Sequence, residues 1–171
     1  ISTMLAENGA KPVLASTDQA GLAALKPSVG DDVLTQVTDA TDEAQVSSLF
    51  DAVKAQHGHA DALINLPGAS VAAKVSEMSL TDYERIIDLN LKTAFLVTKY
   101  FVPVATEGAQ LLYMSSMAAR RANPNAPIYV SAKAGLTMFG EAMALQLKEN
   151  GIRVTGLRPG ATDTDGFWGD R

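Results

Sequence analysis

The chain contains no cysteine, which excludes disulfide bonds, thiolate metal sites and cysteine nucleophiles. It also lacks any run of lysine and arginine, and its only adjacent basic pair is Arg120-Arg121. With a net charge of −5, we expect no nucleic-acid partner. No apolar segment is long enough to cross a bilayer, so we expect no membrane partner either. The absence of cysteine is typical of a reducing compartment, and we expect a cytoplasmic location.

The 171 residues are 47% apolar and 19% charged, which is typical of one globular domain with a sizeable core. Short β-type runs alternate with helical patterns, and this order predicts an α/β fold with a parallel sheet covered on both sides. Strands are predicted at residues 11–16, 33–37, 62–66, 110–114 and 152–157. The strand at 62–66 is expected to be fully buried. Helices are predicted at 1–8, 18–26, 42–56, 79–100 and 128–149.

Tyr129 and Lys133 lie four residues apart in a predicted helix, so their side chains share a face. A cation beside a phenol favours the phenolate form, which suits proton transfer. The same pair could equally be a surface pair, and only companions elsewhere in the chain can decide. Ser116 directly follows a predicted strand, and Asn90 lies on an apolar helix face where its amide must find hydrogen-bond partners.

These residues belong to a longer set of motifs in a fixed order. The set comprises Asp39 before a turn, Gly58 and Asp61 leading into a strand, Asn90, Ser116 thirteen residues before Tyr129, Lys133, and Pro159, Gly160 and Thr164 in P-G-x-x-x-T. In this order the set resembles the short-chain dehydrogenases/reductases. The resemblance implies a Rossmann-type doubly wound parallel sheet in three α/β/α layers.

The resemblance also implies an activity, in which hydride passes between a nicotinamide cofactor and a small carbonyl or alcohol substrate. In such a ketoreductase or alcohol dehydrogenase, Tyr129 would exchange the proton with the substrate oxygen, and Ser116 would orient that oxygen. Lys133 would hold the nicotinamide ribose and favour the phenolate. Asn90 would anchor a water that links Lys133 to solvent.

The resemblance implies a cofactor site along the same strand ends. Asp39 would contact the adenine and Thr164 the nicotinamide amide. Ser16 and Thr17 stand where an acidic residue would favour NAD; their small hydroxyls leave room for a 2'-phosphate, so NADP is favoured while NAD stays open. The other residues implied at this site are Asn65, Gly68, Tyr129, Lys133, Pro159 and Gly160.

Three departures from the family pattern matter. The glycine-rich turn that binds the cofactor diphosphate is absent, Pro67 removes an amide donor beside Gly68, and the chain stops soon after Thr164. We therefore expect residues 1–171 to be one partial Rossmann-type domain, incomplete at both ends. The departures also leave an alternative function open: a non-catalytic Rossmann-type binding or assembly subunit that retains the site residues.

Two further patterns bear on partners and metals. The helix at 128–149 is apolar nearly all round and has small residues at Gly135, Gly140, Ala142 and Ala144, which predicts a homodimer or homotetramer. His57 and His59 flank a turn with too few further ligands to favour a metal site. No metal is therefore expected.

Overall fold

The structure is a computed structural model, and it describes residues 1–30 and 32–162. The chain forms two compact units. The first unit contains Ile1–Ala60 and Leu96–Val104, and the second contains Asp61–Phe95 and the chain from Ala105 onward.

The first unit contains a two-stranded parallel sheet. Strand β1 pairs with β2 so that Leu14 lies opposite Thr35, and Ser16 lies opposite Val37. A small core of Leu14, Leu22 and Val29 packs beneath it. The elements are α1 Ser2–Glu7, β1 Leu14–Ser16, α2 Gln19–Val29, β2 Thr35–Val37 and α3 Glu43–His57.

Both long helices of this unit begin at an aspartate, because a carboxylate can accept the free N–H groups of a first helical turn. Asp18 accepts from the Gly21 N–H, and Asp42 accepts from those of Ala44 and Gln45. Helix α2 continues three residues beyond its predicted end and stops at Gly30, whose φ of 123° favours glycine.

The second unit contains a three-stranded sheet in the order β3-β4-β5. Strand β4 runs parallel to β5, with Gln110 opposite Arg153 and Met114 opposite Leu157. The elements are β3 Ala60–Asn65, α4 Leu80–Ile87, α5 Thr93–Phe101, β4 Ala105–Met114, α6 Pro127–Gln146 and β5 Arg153–Leu157. A short 3-10 helix occurs at Met117–Arg120 in this unit. The part of α5 from Leu96 onward and the 3-10 helix Val102–Val104 belong to the first unit.

Parallel sheets with flanking helices confirm the α/β prediction. The prediction that the strand at 62–66 is fully buried is wrong, because Ala62 and Leu66 are exposed. In the part of the chain that the structure describes, β3 lies at the end of its sheet and is hydrogen-bonded only to β4. Among the described strands, none is hydrogen-bonded to both β1 and β3, so the strands form two sheets.

The single helix predicted at 79–100 is interrupted by a π-helical turn at Asp88–Lys92. The Thr93 N–H donates to the Asp88 carbonyl, five residues earlier, instead of to the carbonyl four residues earlier. The Thr93 hydroxyl donates to the Leu89 carbonyl at 3.0 Å. In a regular α-helix the Thr93 N–H would bond to the Leu89 carbonyl, and here the Thr93 hydroxyl does so instead.

Helix α6 contacts β4 and β5. Its Gly140, predicted to allow close approach of a second helix, lies against β4 of the same chain. A Cβ at that position would lie 3.1 Å from the Tyr113 ring, so glycine allows α6 to approach β4. Among residues 1–30 and 32–162, no helix is both long enough and apolar enough to cross a membrane.

Candidate active site

The ends of β4 and β5 bring two predicted site segments together. The Ser115 N–H donates to the Leu157 carbonyl at 2.8 Å, and the Met117 N–H donates to the Pro159 carbonyl at 3.1 Å. A Cβ on Gly160 would lie 3.6 Å from the Met117 sulfur. Pro159 and Gly160 therefore lie beside the residues that flank Ser116.

Ser116 begins the 3-10 helix Met117–Arg120. Its Oγ accepts the Ala118 N–H at 3.1 Å, as an N-cap residue does. A serine hydroxyl has one hydrogen to donate and two lone pairs. Because the cap uses only a lone pair, the hydrogen remains available for a substrate oxygen.

Ser115, the neighbouring hydroxyl, is engaged inside the protein. It is buried, and its Oγ lies 3.1 Å from the Lys133 carbonyl and 2.7 Å from the Thr137 hydroxyl. These bonds tie the end of β4 to α6. The Ser115 hydroxyl is therefore engaged within the protein, whereas the Ser116 hydroxyl keeps a hydrogen to donate.

Tyr129 and Lys133 occupy successive turns at the start of α6. Pro127 is the first residue of this helix, and its fixed φ suits that position. The Lys133 Nζ lies 5.8 Å from the centroid of the half-buried Tyr129 ring. The predicted pairing of cation and phenol is thus present in the structure.

The Lys133 ammonium is buried, with only 4% of the residue exposed. Its Nζ donates to the Met114 carbonyl at 2.7 Å, which leaves further hydrogens to donate. Burial disfavours the charged form and lowers the pKa of Lys133 to about 8. The lysine is therefore still mostly charged at neutral pH, but it releases its proton far more easily than a surface lysine.

Asn90 and Gly68 complete the surroundings of this lysine. Asn90 is 1% exposed, and its Nδ2 donates to the carbonyls of Ala69 at 2.7 Å and Ile86 at 2.8 Å. Its Oδ1 is buried without a hydrogen-bond partner in the described part of the chain. A Cβ on Gly68 would lie 2.9 Å from that Oδ1 and 3.3 Å from the Lys133 Nζ. Glycine therefore leaves open a space that borders both polar atoms.

Two other predicted site residues need separate mention. Asn65 is buried at the last position of β3, two residues before Pro67. Thr164 lies outside the described residues. Within residues 1–30 and 32–162, no three side chains of the metal-binding types, including those near His57 and His59, are grouped to hold a metal ion.

The predicted adenosine-side residues lie in the first unit, at the carboxyl ends of β1 and β2. The Ser16 hydroxyl accepts the Asp18 N–H at 3.1 Å, and Thr17 is exposed. The Asp39 carboxylate accepts both the N–H and the hydroxyl of Thr41, at 2.8 and 2.7 Å. The Thr38 N–H donates to the Ser16 carbonyl at 2.9 Å, which joins the two strand ends.

The family model of the short chain dehydrogenases matches residues 1–170. The chain belongs to this family. An uncharacterized oxidoreductase of Bacillus subtilis is 36% identical over 128 residues, which span 74% of this chain and 47% of that protein. An uncharacterized oxidoreductase of Staphylococcus saprophyticus is 26% identical and matches all of this chain and 77% of that protein. The chain thus spans about half of the Bacillus relative and about three quarters of the staphylococcal one.

Solved structures show the same fold. A structure assigned to a short-chain dehydrogenase/reductase of Burkholderia xenovorans has a TM-score of 0.89 and 30% identity, and the likeness covers 96% of this chain and 67% of that one. The short-chain dehydrogenase/reductase of Serratia marcescens has a TM-score of 0.91 at 22% identity, covering 96% and 69%. The chain is therefore a short-chain dehydrogenase by family and Rossmann-like by fold.

Short-chain dehydrogenases generally use NAD or NADP, and the second unit fits such a cofactor. Lys133 has hydrogens left to donate, and Asn90 has a buried oxygen left to accept. Gly68 leaves open the space beside both. Buried groups with unused hydrogen-bonding capacity are rare unless a ligand or water satisfies them.

Two backbone groups beside the candidate site were not predicted from the sequence. The carbonyls of Met114 and Ala69 hold Lys133 and Asn90 in place. Every residue has a backbone carbonyl, so residue type gives no signal for this role. Only the distance between strand end and helix identifies these two groups.

Proposed function

We propose that this chain carries the catalytic site of an NADP-dependent oxidoreductase that interconverts a carbonyl compound and its alcohol. The observation that carries the proposal is the buried Lys133 ammonium, held beside the Tyr129 ring at 5.8 Å by the Met114 carbonyl. A nicotinamide cofactor, when bound, supplies or accepts the hydride. Lys133 and Tyr129 would hold its ribose, and Asn65, Gly68, Pro159 and Gly160 would line its site.

The side chains of the second unit would handle the proton and the substrate oxygen. Ser116 donates its free hydroxyl hydrogen to the carbonyl oxygen and orients it. Tyr129 gives its phenolic proton to the same oxygen during reduction and takes it back during oxidation. The positive charge of Lys133 stabilises the phenolate that remains. Asn90 offers its free Oδ1 on the path by which Lys133 would be reprotonated.

NADP is favoured over NAD by the end of β1. An acidic side chain free to accept ribose hydroxyls would favour NAD. Here Ser16 is half-buried and Thr17 exposed, and the carboxylate of Asp18 caps α2 through the Gly21 N–H at 2.9 Å. Since the Asp18 carboxylate is engaged in this cap, the strand end leaves room for a 2'-phosphate. We also expect the enzyme to act in the cytoplasm.

The test is a pair of tyrosine variants of the full-length protein, screened against a panel of ketones with NADPH and NADH. Tyr129→Phe removes only the transferable proton, so kcat should fall by about a thousandfold while the Kd for NADPH stays within about twofold. Tyr83→Phe, which changes an exposed tyrosine on α4, should match the wild type. The wild type should prefer NADPH.

Two results would count against this proposal in different ways. A Tyr129→Phe enzyme with near-normal kcat would remove Tyr129 from the proton transfer. A wild-type protein that binds NADPH but reduces no ketone would favour the non-catalytic subunit instead. Cofactor binding measured by the quenching or enhancement of NADPH fluorescence separates the two.

We further propose that the protein associates through α6. Met138, Ala142 and Leu145 are exposed at helical spacing, with 64% of Met138 and 79% of Leu145 accessible. Burial of this stripe against a second copy would remove apolar area from water. Light scattering of the full-length protein should show a dimer or tetramer, and Leu145→Glu should weaken it; a wild-type monomer at micromolar concentration would refute the proposal.

A further inference from the structure

The segment after Ser116 carries two arginines that have no partner within the described residues. Arg120 and Arg121 are exposed, and neither guanidinium forms an ion pair there. They form the only adjacent basic pair of a chain whose net charge is −5. The segment also leads from Ser116 toward Tyr129, the two residues assigned to the substrate oxygen.

The 3-10 helix Met117–Arg120 determines which arginine faces the site. In a 3-10 helix, side chains three residues apart eclipse one another. Arg120 therefore lies on the same face as Met117, one turn further on. The sulfur of Met117 lies 3.6 Å from where a Cβ on Gly160 would be, so this face is the one beside the Pro159-Gly160 segment.

Arg121 differs from Arg120 in backbone geometry. It follows the 3-10 helix with φ −136° and ψ 129°, which is extended. Its N–H still donates to the Ala118 carbonyl at 3.2 Å, but its side chain is not part of the Met117 face. The two adjacent arginines thus form a natural pair for comparison, with equal charge and different placement.

We propose that Arg120 selects carbonyl substrates that carry an anionic group, a carboxylate or a phosphate. The proposal rests on the function assigned above to Ser116 and Tyr129. Arginine presents a planar fork of N–H donors that matches both kinds of anion. At a rise of about 2 Å per residue, Arg120 lies about 8 Å along the helix from Ser116, which suits a short substrate. Met117, exposed between them, contacts the carbon chain that joins carbonyl and anion.

The experiment compares charged and neutral versions of the same ketone in the full-length, NADPH-saturated protein. Acetoacetate is paired with methyl acetoacetate, and dihydroxyacetone phosphate with dihydroxyacetone. Each compound is assayed for kcat/KM and titrated by calorimetry, so that binding is measured even without turnover. The variants are Arg120→Gln and, as the matched control, Arg121→Gln.

The wild type should favour the charged member of at least one pair by about tenfold, since an exposed charge-assisted hydrogen bond contributes about that much. Arg120→Gln should abolish the preference, and Arg121→Gln should keep it. Higher salt should weaken it, because screening acts on exposed charges. The pair that responds shows whether carboxylate or phosphate is the natural group.

Three results would overturn the proposal. The first is no tighter binding of either charged compound than of its neutral partner. The second is an equal loss of preference in both variants, which would indicate general surface charge. The third is a raised KM for NADPH in Arg120→Gln, which would move the arginine to the cofactor. If none of the four ketones is reduced, the proposed function fails. The binding affinities from calorimetry would still show whether Arg120 selects anionic compounds.

Discussion

The carboxyl ends of the strands behave differently in the two units. In the first unit, polar side chains are satisfied by near neighbours in sequence: Ser16 accepts from Asp18, and Asp39 accepts twice from Thr41. In the second unit, polar groups are buried and bonded to distant residues, as Lys133 is to Met114 and Asn90 to Ala69. In the first unit the polar groups at the strand ends are satisfied locally. In the second unit Lys133 and Asn90 keep unused hydrogen-bonding capacity.

This difference separates positions that stabilise turns from positions prepared for a ligand. A capping hydroxyl or carboxylate contributes about 1 kcal/mol to its own helix or turn and needs no ligand. A buried ammonium costs free energy, because desolvation disfavours its charge. The second unit tolerates that cost at Lys133. Two lysine variants and three glycine variants test this difference between the units.

The largest expected effect concerns the two lysines that represent the two units. The pKa of Lys133 is about 8 when folded and 10.5 when free, so between these values the unfolded state binds more protons than the folded one. Stability relative to Lys133→Met should therefore rise with pH through this window, by up to about 3 kcal/mol, and the full cost of the buried charge should apply below pH 8. Urea unfolding of the full-length protein between pH 7 and 10.5 measures this difference.

Lys99 of the first unit is the matched control. It is half-exposed, and its hydrogen bond with Glu43 at 2.6 Å, together with the charge of Glu43, raises its pKa. Lys99→Met should therefore show no gain of wild-type stability between pH 8 and 10.5. Parallel curves for both variants would mean that Lys133 is not desolvated and would remove the contrast between the units.

The next effect concerns crowding at glycines. A Cβ on Gly68 would lie 2.9 Å from the Asn90 Oδ1 and 3.3 Å from the Lys133 Nζ, and both groups are buried. Gly68→Ala should displace them and lower kcat/KM by about a hundredfold, because small misplacements of catalytic groups have effects of that size. Gly156→Ala in β5, where no atom lies within 4 Å, should leave kcat/KM unchanged.

The smallest effect belongs to the first-unit counterpart of the same substitution. A Cβ on Gly21 would collide with the Asp18 carboxylate, but that side chain is exposed and can turn away. Gly21→Ala should lose only the cap on α2, about 1 kcal/mol of stability, with kcat preserved. If kcat fell as far as in Gly68→Ala, the first unit would be as tightly constrained as the second.

The fold class and the proximity of Lys133 to Tyr129 could be predicted, because both follow from local sequence patterns or from fixed residue spacings. Asp18 and Asp42 begin their helices as capping residues do, and alternation of strand and helix gave the parallel sheets. Tyr129 and Lys133 share a face simply because four residues make about one turn.

The rest could not be predicted, because it depends on contacts between distant residues. The amphipathic pattern of residues 79–100 does not reveal the π-helical turn, where the Thr93 and Asn90 side chains donate to the backbone carbonyls of Leu89 and Ile86. The exposure of β3 depends on which strands pair with it. A short run of residues that favour β-structure does not indicate those pairing partners. The sequence also does not reveal that Gly140 leaves room for the Tyr113 ring on β4, because these two residues are far apart in the chain.

The π-helical turn at Asp88–Lys92 has a consequence for chain length as well as for shape. Such a turn contains about one residue more than an α-helical turn, and each residue rotates the helix by about 100°. Deleting one residue here would restore an ordinary α-helix. Asn90 would lose its position in the π-helical turn, and the residues of α4 would rotate about the helix axis. In this segment, deleting a residue therefore disrupts the site as much as substituting one does. The number of residues between Ile86 and Thr93 is itself part of what specifies the site.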